Sequence, residues 1–303
     1  MTHVSVMLNE AMGALSIKPS GCYVDATFGR GGHSAALLKQ LSLQAKLLVF
    51  DQDMTAIKCA QSLFSEDNRV HIYHHNFDQL NEVLKHLGMM SSIDGVLFDV
   101  GVSSPQLDEP QRGFSFQQDG PLDMRMNASK GATAKQWLEQ HDEETIADAL
   151  WRYGDEPRSR AIAAAIKQAL HEQKLHTTLD LVKVVTSKIR GRRKKHPATQ
   201  VFQALRVAVN DELNCLDNAL EQAYQALKIG GRLVVISFHS LEHRMIKQFS
   251  RRKQGFDDVP RGMPVMNDQP KMKLIGRYKP QQLEIEQNVR ARSAQLLALE
   301  KVA

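Results

Sequence analysis

Apolar residues along this chain fall into short continuous runs set between longer amphipathic stretches. Residues 22–27, 46–51, 69–74 and 93–99 are such runs, and each reads as a buried strand. The stretch from about residue 34, the one carrying Ala56, Ala60 and Leu63, and the one carrying Leu80, Val83, Leu84 and Leu87 repeat apolar positions at helical spacing. Strands alternating with helices predict a parallel sheet with right-handed crossovers. The rhythm then breaks. Residues 136–151, 159–171 and 178–189 have helical spacing and many alanines, with no convincing strand from about 108 to 199 except one short candidate. Residues 201–227 read as one long helix closed by a left-handed turn at Gly230-Gly231. A strand at 233–238, a helix at 240–251 and a closing antiparallel pair at 272–278 and 293–299 complete the reading. The expected class is α/β. A sheet domain takes residues 1–108 and 200–303, and an all-helical insert takes 109–199.

Composition narrows the class rather than the function. The chain has 303 residues, 42% hydrophobic and 24% charged, the balance of a globular protein and not of a disordered one. The longest aliphatic runs, at 47–50 and 233–236, are far short of a bilayer span. The first twelve residues lack a basic cluster before an apolar core, and Glu10 interrupts them, so no secretory signal is expected. The three cysteines, Cys22, Cys59 and Cys215, are widely spaced and fit a reducing cytoplasm better than a disulfide framework. No metal site is read, because His74-His75 has no further ligands at zinc spacing.

Candidate chemistry begins at the end of the first run. Asp25 precedes a turn holding Gly29 and Gly31, and glycines there let a backbone approach a ligand. In a dehydrogenase such a turn cradles a pyrophosphate, but the third glycine position is Ser34. Asp25 would repel a pyrophosphate and attract an ammonium group. Asp51, twenty positions after Gly31, ends the second run where an acid accepts both hydroxyls of a ribose. Asp99 ends the fourth run, so three strand-end aspartates converge on one crevice. This pattern suits S-adenosylmethionine better than NAD. The alternatives are an NAD-binding dehydrogenase, a non-catalytic RNA-binding protein on a methyltransferase fold, and a DNA amino-methyltransferase. The last is opposed by the absence of a Pro-Pro-aromatic turn after Asp99.

Longer motifs sharpen the picture. They are DATFGRGGHS at 25–34, DVGVSSPQL at 99–107, RGFSF at 112–116, DGPLDMRM at 119–126, HPAT at 196–199, FQALR at 202–206, SFHSL at 237–241 and RARS at 290–293. In this order the chain resembles the RsmH (MraW) family of 16S ribosomal RNA cytosine-N4 methyltransferases. It departs from that pattern at Gln200-Val201 and at Val289. The resemblance implies a Rossmann-like class I fold with an inserted helical domain. It also implies S-adenosylmethionine as cofactor, and as substrate a cytidine in the decoding region of 16S rRNA, in the 30S subunit or a late assembly intermediate. A homodimer is compatible with it. Carried over residue by residue, it implies cofactor contacts from Gly31, Gly32, His33, Asp51, Phe77, Asp99 and Gln106.

The target amine donates its lone pair into the ring, so alignment and hydrogen-bond acceptors are the expected catalytic tools. Asp99, or backbone near Ser103 and Ser104, is the expected acceptor. Phe114, Phe116 or Phe238 is the expected stacking ring, and His239 a base or phosphate contact. Asp123 and Arg125 are expected to form an internal ion pair. Lys188, Arg190, Arg192, Arg193, Lys194 and Lys195 put six positive charges in eight residues, a candidate phosphate-binding segment.

Overall fold

The computed structural model describes residues 5–189, 196–256 and 269–303. The chain divides into two compact units, one formed by residues 1–101 and 213–303 and the other by 102–212.

In the first unit, seven strands form one sheet: β1 (Cys22–Asp25), β2 (Lys46–Asp51), β3 (Val70–His74), β4 (Ile93–Asp99), β5 (Leu227–Ser237), β6 (Met272–Tyr278) and β7 (Gln295–Lys301). Their order is β3-β2-β1-β4-β5-β7-β6, with β7 antiparallel to both of its neighbours and the β1–β5 pairings parallel. This is a Rossmann-like α/β sheet whose order reverses between β1 and β4. Such a reversal opens a crevice at the carboxyl ends of those strands. Helices α1 (Leu8–Leu15), α2 (Gly32–Leu38), α3 (Met54–Leu63) and α4 (Leu80–His86) occupy its first half.

Strand alternation decides which helix covers which face. Val24, Leu48, Phe50, Val96, Phe98, Leu233 and Val235 bury one side with α4 residues Leu80, Val83 and Leu84. Tyr23, Leu47, Val49, Leu97, Val234 and Ile236 bury the other with Leu15 of α1, Leu37 of α2 and Ala60 of α3. Both faces being covered explains why these strands read as continuous apolar runs instead of alternating ones.

The second unit is helical: α5 (Ser104–Asp108), α6 (Ala134–Gln140), α7 (Glu143–Gly154), α8 (Ser159–His171), α9 (Thr178–Lys188) and α10 (Ala198–Val209). The chain then returns to the sheet unit through α11 (Glu212–Ala226), α12 (Ser240–Lys253) and α13 (Gln282–Gln287). Among the described residues no helix is long and apolar enough to cross a membrane.

Several boundaries differ from the sequence reading. The helical unit runs from 102 to 212 rather than 109 to 199. Its far border moves because Ala198, Val201, Phe202, Ala204 and Leu205 of α10 bury into the core shared with α7 and α8. The expected helix at 201–227 is two helices, split where Asp211 takes a left-handed φ of 48°. The expected helix at 136–151 is likewise α6 and α7, because Asp142 caps a new helix by accepting from Thr145 N–H at 2.8 Å. Gly230-Gly231 does not close a helix. It lies inside β5, where the pairing with β4 jumps from Ile93↔Leu227 to Gly95↔Arg232. Gly230, at φ 79°, absorbs this bulge.

Candidate active site

The site is built at the carboxyl ends of β1, β2, β4 and β5, all within the sheet unit. After β1 the chain turns through Gly29 at φ 56° and Gly31 at φ 77° before entering α2. A side chain at Gly31 would bring its Cβ within 2.6 Å of the Phe28 ring, whereas a Cβ at Gly29 would meet nothing within 4 Å. Gly31 is therefore required by packing, and Gly29 faces open space. A side chain at Gly32 would collide with Ser5 Oγ.

The carboxylates bracket this turn. Asp51 closes β2, and its Oδ2 accepts from Gly29 N–H at 2.8 Å while its Oδ1 accepts from Asp53 N–H at 2.8 Å. Burial pushes its carboxyl up to about 6, against these two hydrogen bonds. Asp25 is buried, with Oδ2 accepting from Ser34 Oγ–H at 2.6 Å and Oδ1 from Thr27 N–H at 3.2 Å. It braces the first turn of α2 to the end of β1, and burial raises its carboxyl above the usual range.

Asp99 is the exception. Its side chain stays 25% exposed, and its Oδ2 lies 3.9 Å from His33 Nδ1. Its Oδ1 is shielded and has no hydrogen-bond partner among the described residues. Burial, followed by the charges of Asp25 and Glu242, pushes this carboxyl up to about 8. Its backbone N–H donates to Thr27 Oγ1 at 2.6 Å, which locks the ends of β1 and β4 together. His33 Nε2 lies 3.1 Å from the Val6 carbonyl, so that nitrogen carries the proton and donates.

Glu242, which the sequence reading does not single out, completes the crevice from β5 and α12. It is 2% exposed, and its Oε2 accepts from Phe238 N–H at 2.7 Å and His239 N–H at 3.1 Å. Its Oε1 lies 2.9 Å from His239 Nε2. The signal was present as His239-x-x-Glu242 opening a helix, a capping-box spacing. A Cβ at Gly101 would lie 3.8 Å from Glu242 Oε1, so the ends of β4 and β5 meet here.

Phe77 follows β3 and sets its ring edge-on to Phe98, with centroids 5.8 Å apart. Phe238, just after β5 in the sheet unit, is half-buried against the core and lies 3.7 Å from where a Cβ at Gly101 would sit; the other sequence candidates lie in the helical unit. Ser103 and Gln106 form a capping box at the start of α5, where Ser103 N–H donates to Gln106 Oε1 at 2.9 Å. Ser104 is the first residue of that helix. Phe114 is 6% exposed within the helical core, so its ring is committed to packing and is not available to stack on a base. Phe116 contacts the rings of His196 and Phe202. Asp123 and Arg125 do form the internal pair, with Arg125 Nε donating to Asp123 Oδ1 at 2.7 Å. Lys188 is exposed at the end of α9. Arg190, Arg192, Arg193, Lys194 and Lys195 lie outside the described residues.

Three raised carboxyls around an open glycine turn, one of them with an oxygen unpartnered among the described residues, form a site short of positive charge. A ligand carrying a cation satisfies it, and a pyrophosphate aggravates it. An acid at the end of β2 beside the turn also suits a ribose.

The profile of the MraW methylase family matches residues 1–302. The ribosomal RNA small subunit methyltransferase H of Ruthia magnifica subsp. Calyptogena magnifica is 46% identical over 302 residues, covering 99% of this chain and 98% of the relative. The protein of that name from Hydrogenovibrio crunogenus is 49% identical over 306 residues, covering 99% and 96%. Among solved structures, an rRNA methylase from Streptococcus thermophilus aligns with a TM-score of 0.44 and 12% identity, covering 100% of this chain and 99% of that one.

Proposed function

The chain belongs to the MraW methylase family, and on that premise we propose that it methylates the exocyclic N4 of a cytidine in the decoding region of 16S rRNA. The coarser activity is S-adenosylmethionine-dependent methylation of small-subunit rRNA, and family membership sets aside the dehydrogenase alternative. The observation that carries this reading is Asp99, whose side chain stays 25% exposed at the carboxyl end of β4, at the topological switch point. It is an acceptor waiting for a donor, and an amine is a donor where a carbonyl is not.

S-adenosylmethionine, when bound, supplies an electrophilic methyl group on a positively charged sulfur. The residues fit it. The cationic sulfonium and ammonium offset the crowded carboxyls of Asp25, Asp51 and Asp99. In this reading Asp51 accepts from the ribose hydroxyls and Phe77 lies against the adenine. The backbone of Gly29, Gly31 and Gly32 lets the ligand approach closely, with His33 and Gln106 as further contacts.

Asp99 then acts on the target amine. Its exposed carboxyl edge accepts a hydrogen bond from the amine N–H, draws electron density toward the nitrogen and stabilises the positive charge that develops there. Restraining the amine in line with the methyl group supplies the remaining gain, up to several kcal/mol. A carboxyl set near 8 releases its proton once a cation sits beside it, so it is ionised when needed. Ser103 and Ser104 stay secondary candidates, because their backbone opens α5 just after Asp99 in the chain. His239, beside Glu242, is proposed as an RNA contact.

Tritiated-methyl transfer to 30S particles and to naked 16S rRNA, followed by nucleoside analysis, tests the proposal. N4-methylcytidine at a single decoding-region position is the expected product. A methyl group on another atom or another base would overturn it.

A further inference from the structure

Phe116 is a sequence candidate for stacking on RNA, yet in the helical unit its ring is already in use. His196 lies over it with ring centroids 4.8 Å apart and planes 31° from parallel, and Phe202 meets it edge-on at 5.0 Å. His196 is the exposed member of this group. Its Nδ1 accepts from Ala198 N–H at 3.2 Å, and its carbonyl accepts from Thr199 N–H at 3.0 Å. The imidazole is thus a flat surface held against an aromatic and pinned at one nitrogen, just before α10.

The neighbouring sequence indicates the chemistry of what arrives. Lys188, Arg190, Arg192, Arg193, Lys194 and Lys195 immediately precede His196 in the chain. Lys188 is exposed, and its carbonyl accepts from Arg158 Nη1 at 2.8 Å, which adds another exposed cation to the end of α9. A polyanion drawn to this run comes to the residue that follows it. Every nucleobase offers a π face to an aromatic platform, and a base unstacked from its neighbours needs one.

We propose that His196, backed by Phe116, is a stacking platform for an unpaired nucleobase of the substrate RNA. This rests on the reading that the substrate is rRNA. It does not depend on which base or which atom is methylated.

The test is equilibrium binding of the full chain to 16S rRNA without a methyl donor, at several salt concentrations. His196→Asn keeps a side-chain acceptor for Ala198 N–H and removes the ring, and His196→Phe restores a ring without charge. His196→Asn should weaken binding about 5- to 20-fold with an unchanged salt slope, and His196→Phe should recover most of the loss. Affinity for S-adenosylmethionine and the thermal midpoint should match the parent in both variants. Unchanged RNA affinity in His196→Asn would overturn the proposal. So would a salt slope lowered by about one in both variants, because that is the signature of one phosphate no longer neutralised. The assay forms no product, so a failure of the N4 assignment would appear only in nucleoside analysis and leave this result untouched.

Discussion

Gly29 and Asp51 stand at the ends of different crossover units, yet the N–H of one donates to Oδ2 of the other at 2.8 Å. The shape of the glycine turn therefore depends on an acid 22 residues away. The residue proposed to hold the ribose also holds the loop over which the ligand lies.

That double role sets the first prediction. Asp51→Ala removes the ribose acceptor and a support of the turn, and should weaken S-adenosylmethionine binding by roughly 1.5–3 kcal/mol. Isothermal titration checks it. Unchanged affinity in a folded variant would remove Asp51 from the cofactor site.

Asp99→Asn keeps the shape and removes the charge. The single-turnover rate should fall by more than the cofactor affinity does, because the oxygen is proposed to serve the amine. Equal losses in both measurements would reduce Asp99 to a cofactor contact.

The raised carboxyls make pH a probe. Asp99 is held near 8 and Asp51 near 6, both above the ordinary carboxylate range. The folded state therefore keeps protons that the unfolded chain releases near pH 4. This contribution to stability is complete below that pH and is lost as pH rises through about 6 and then about 8. The ligand-free protein should show a thermal midpoint that declines over this window. A cationic ligand favours the ionised forms, so its affinity should rise with pH over the same window, with protons released on binding. Titration in buffers of different ionisation heat reads that release, and a pH-independent affinity without it would count against the charge argument.

Gly31→Ala tests the turn itself. Gly31 has φ 77°, and a Cβ there would lie 2.6 Å from the Phe28 ring. The left-handed backbone alone costs about 1–2 kcal/mol for a residue with a side chain. A lower thermal midpoint together with weaker cofactor binding is expected. A variant with parental values for both would mean that the turn relaxes freely.

The basic segment has its own signature. Replacing Arg192, Arg193 and Lys194 by Gln should lower the salt slope of RNA binding by up to about 2–3, at roughly 0.7–0.9 for each phosphate left without its cation. Cofactor affinity should not change. An unaltered slope would make the segment a solvated loop.

Strand positions were the most legible part of this sequence, and the reason is burial on both faces. β2 and β4 occupy the residues that their apolar runs predict. Asp25, Asp51 and Asp99 stood out because each run of apolar residues ends abruptly in an acid. Helix breaks were hidden because Ala and Leu spacing continues across 141–142 and 210–211 while one backbone torsion or one cap ends the helix. The bulge at Gly230 depends on how β5 pairs with β4, and Glu242 reaches Asp99 only because those strands are neighbours. Neither relationship lies within any local window of residues. Phe114 and Phe116 looked alike in the RGFSF motif, and only packing separates a core ring from one that supports an exposed histidine.

The sheet order also governs how this chain comes off the ribosome. β4 is made early, but its partner β5 follows the whole of residues 102–212. Until β5 emerges, the edge of β4 bearing Val96, Leu97 and Phe98 has no strand beside it. The helical unit closes its core from residues made before β5, whereas the β4–β5 pairing must close a long loop. When residue 212 has been made, every residue of the helical unit is present while the sheet still lacks β5, β6 and β7. A chain stopped after residue 212 would be held at that stage, with the acid site missing its β5 wall and a sticky strand edge open to aggregation.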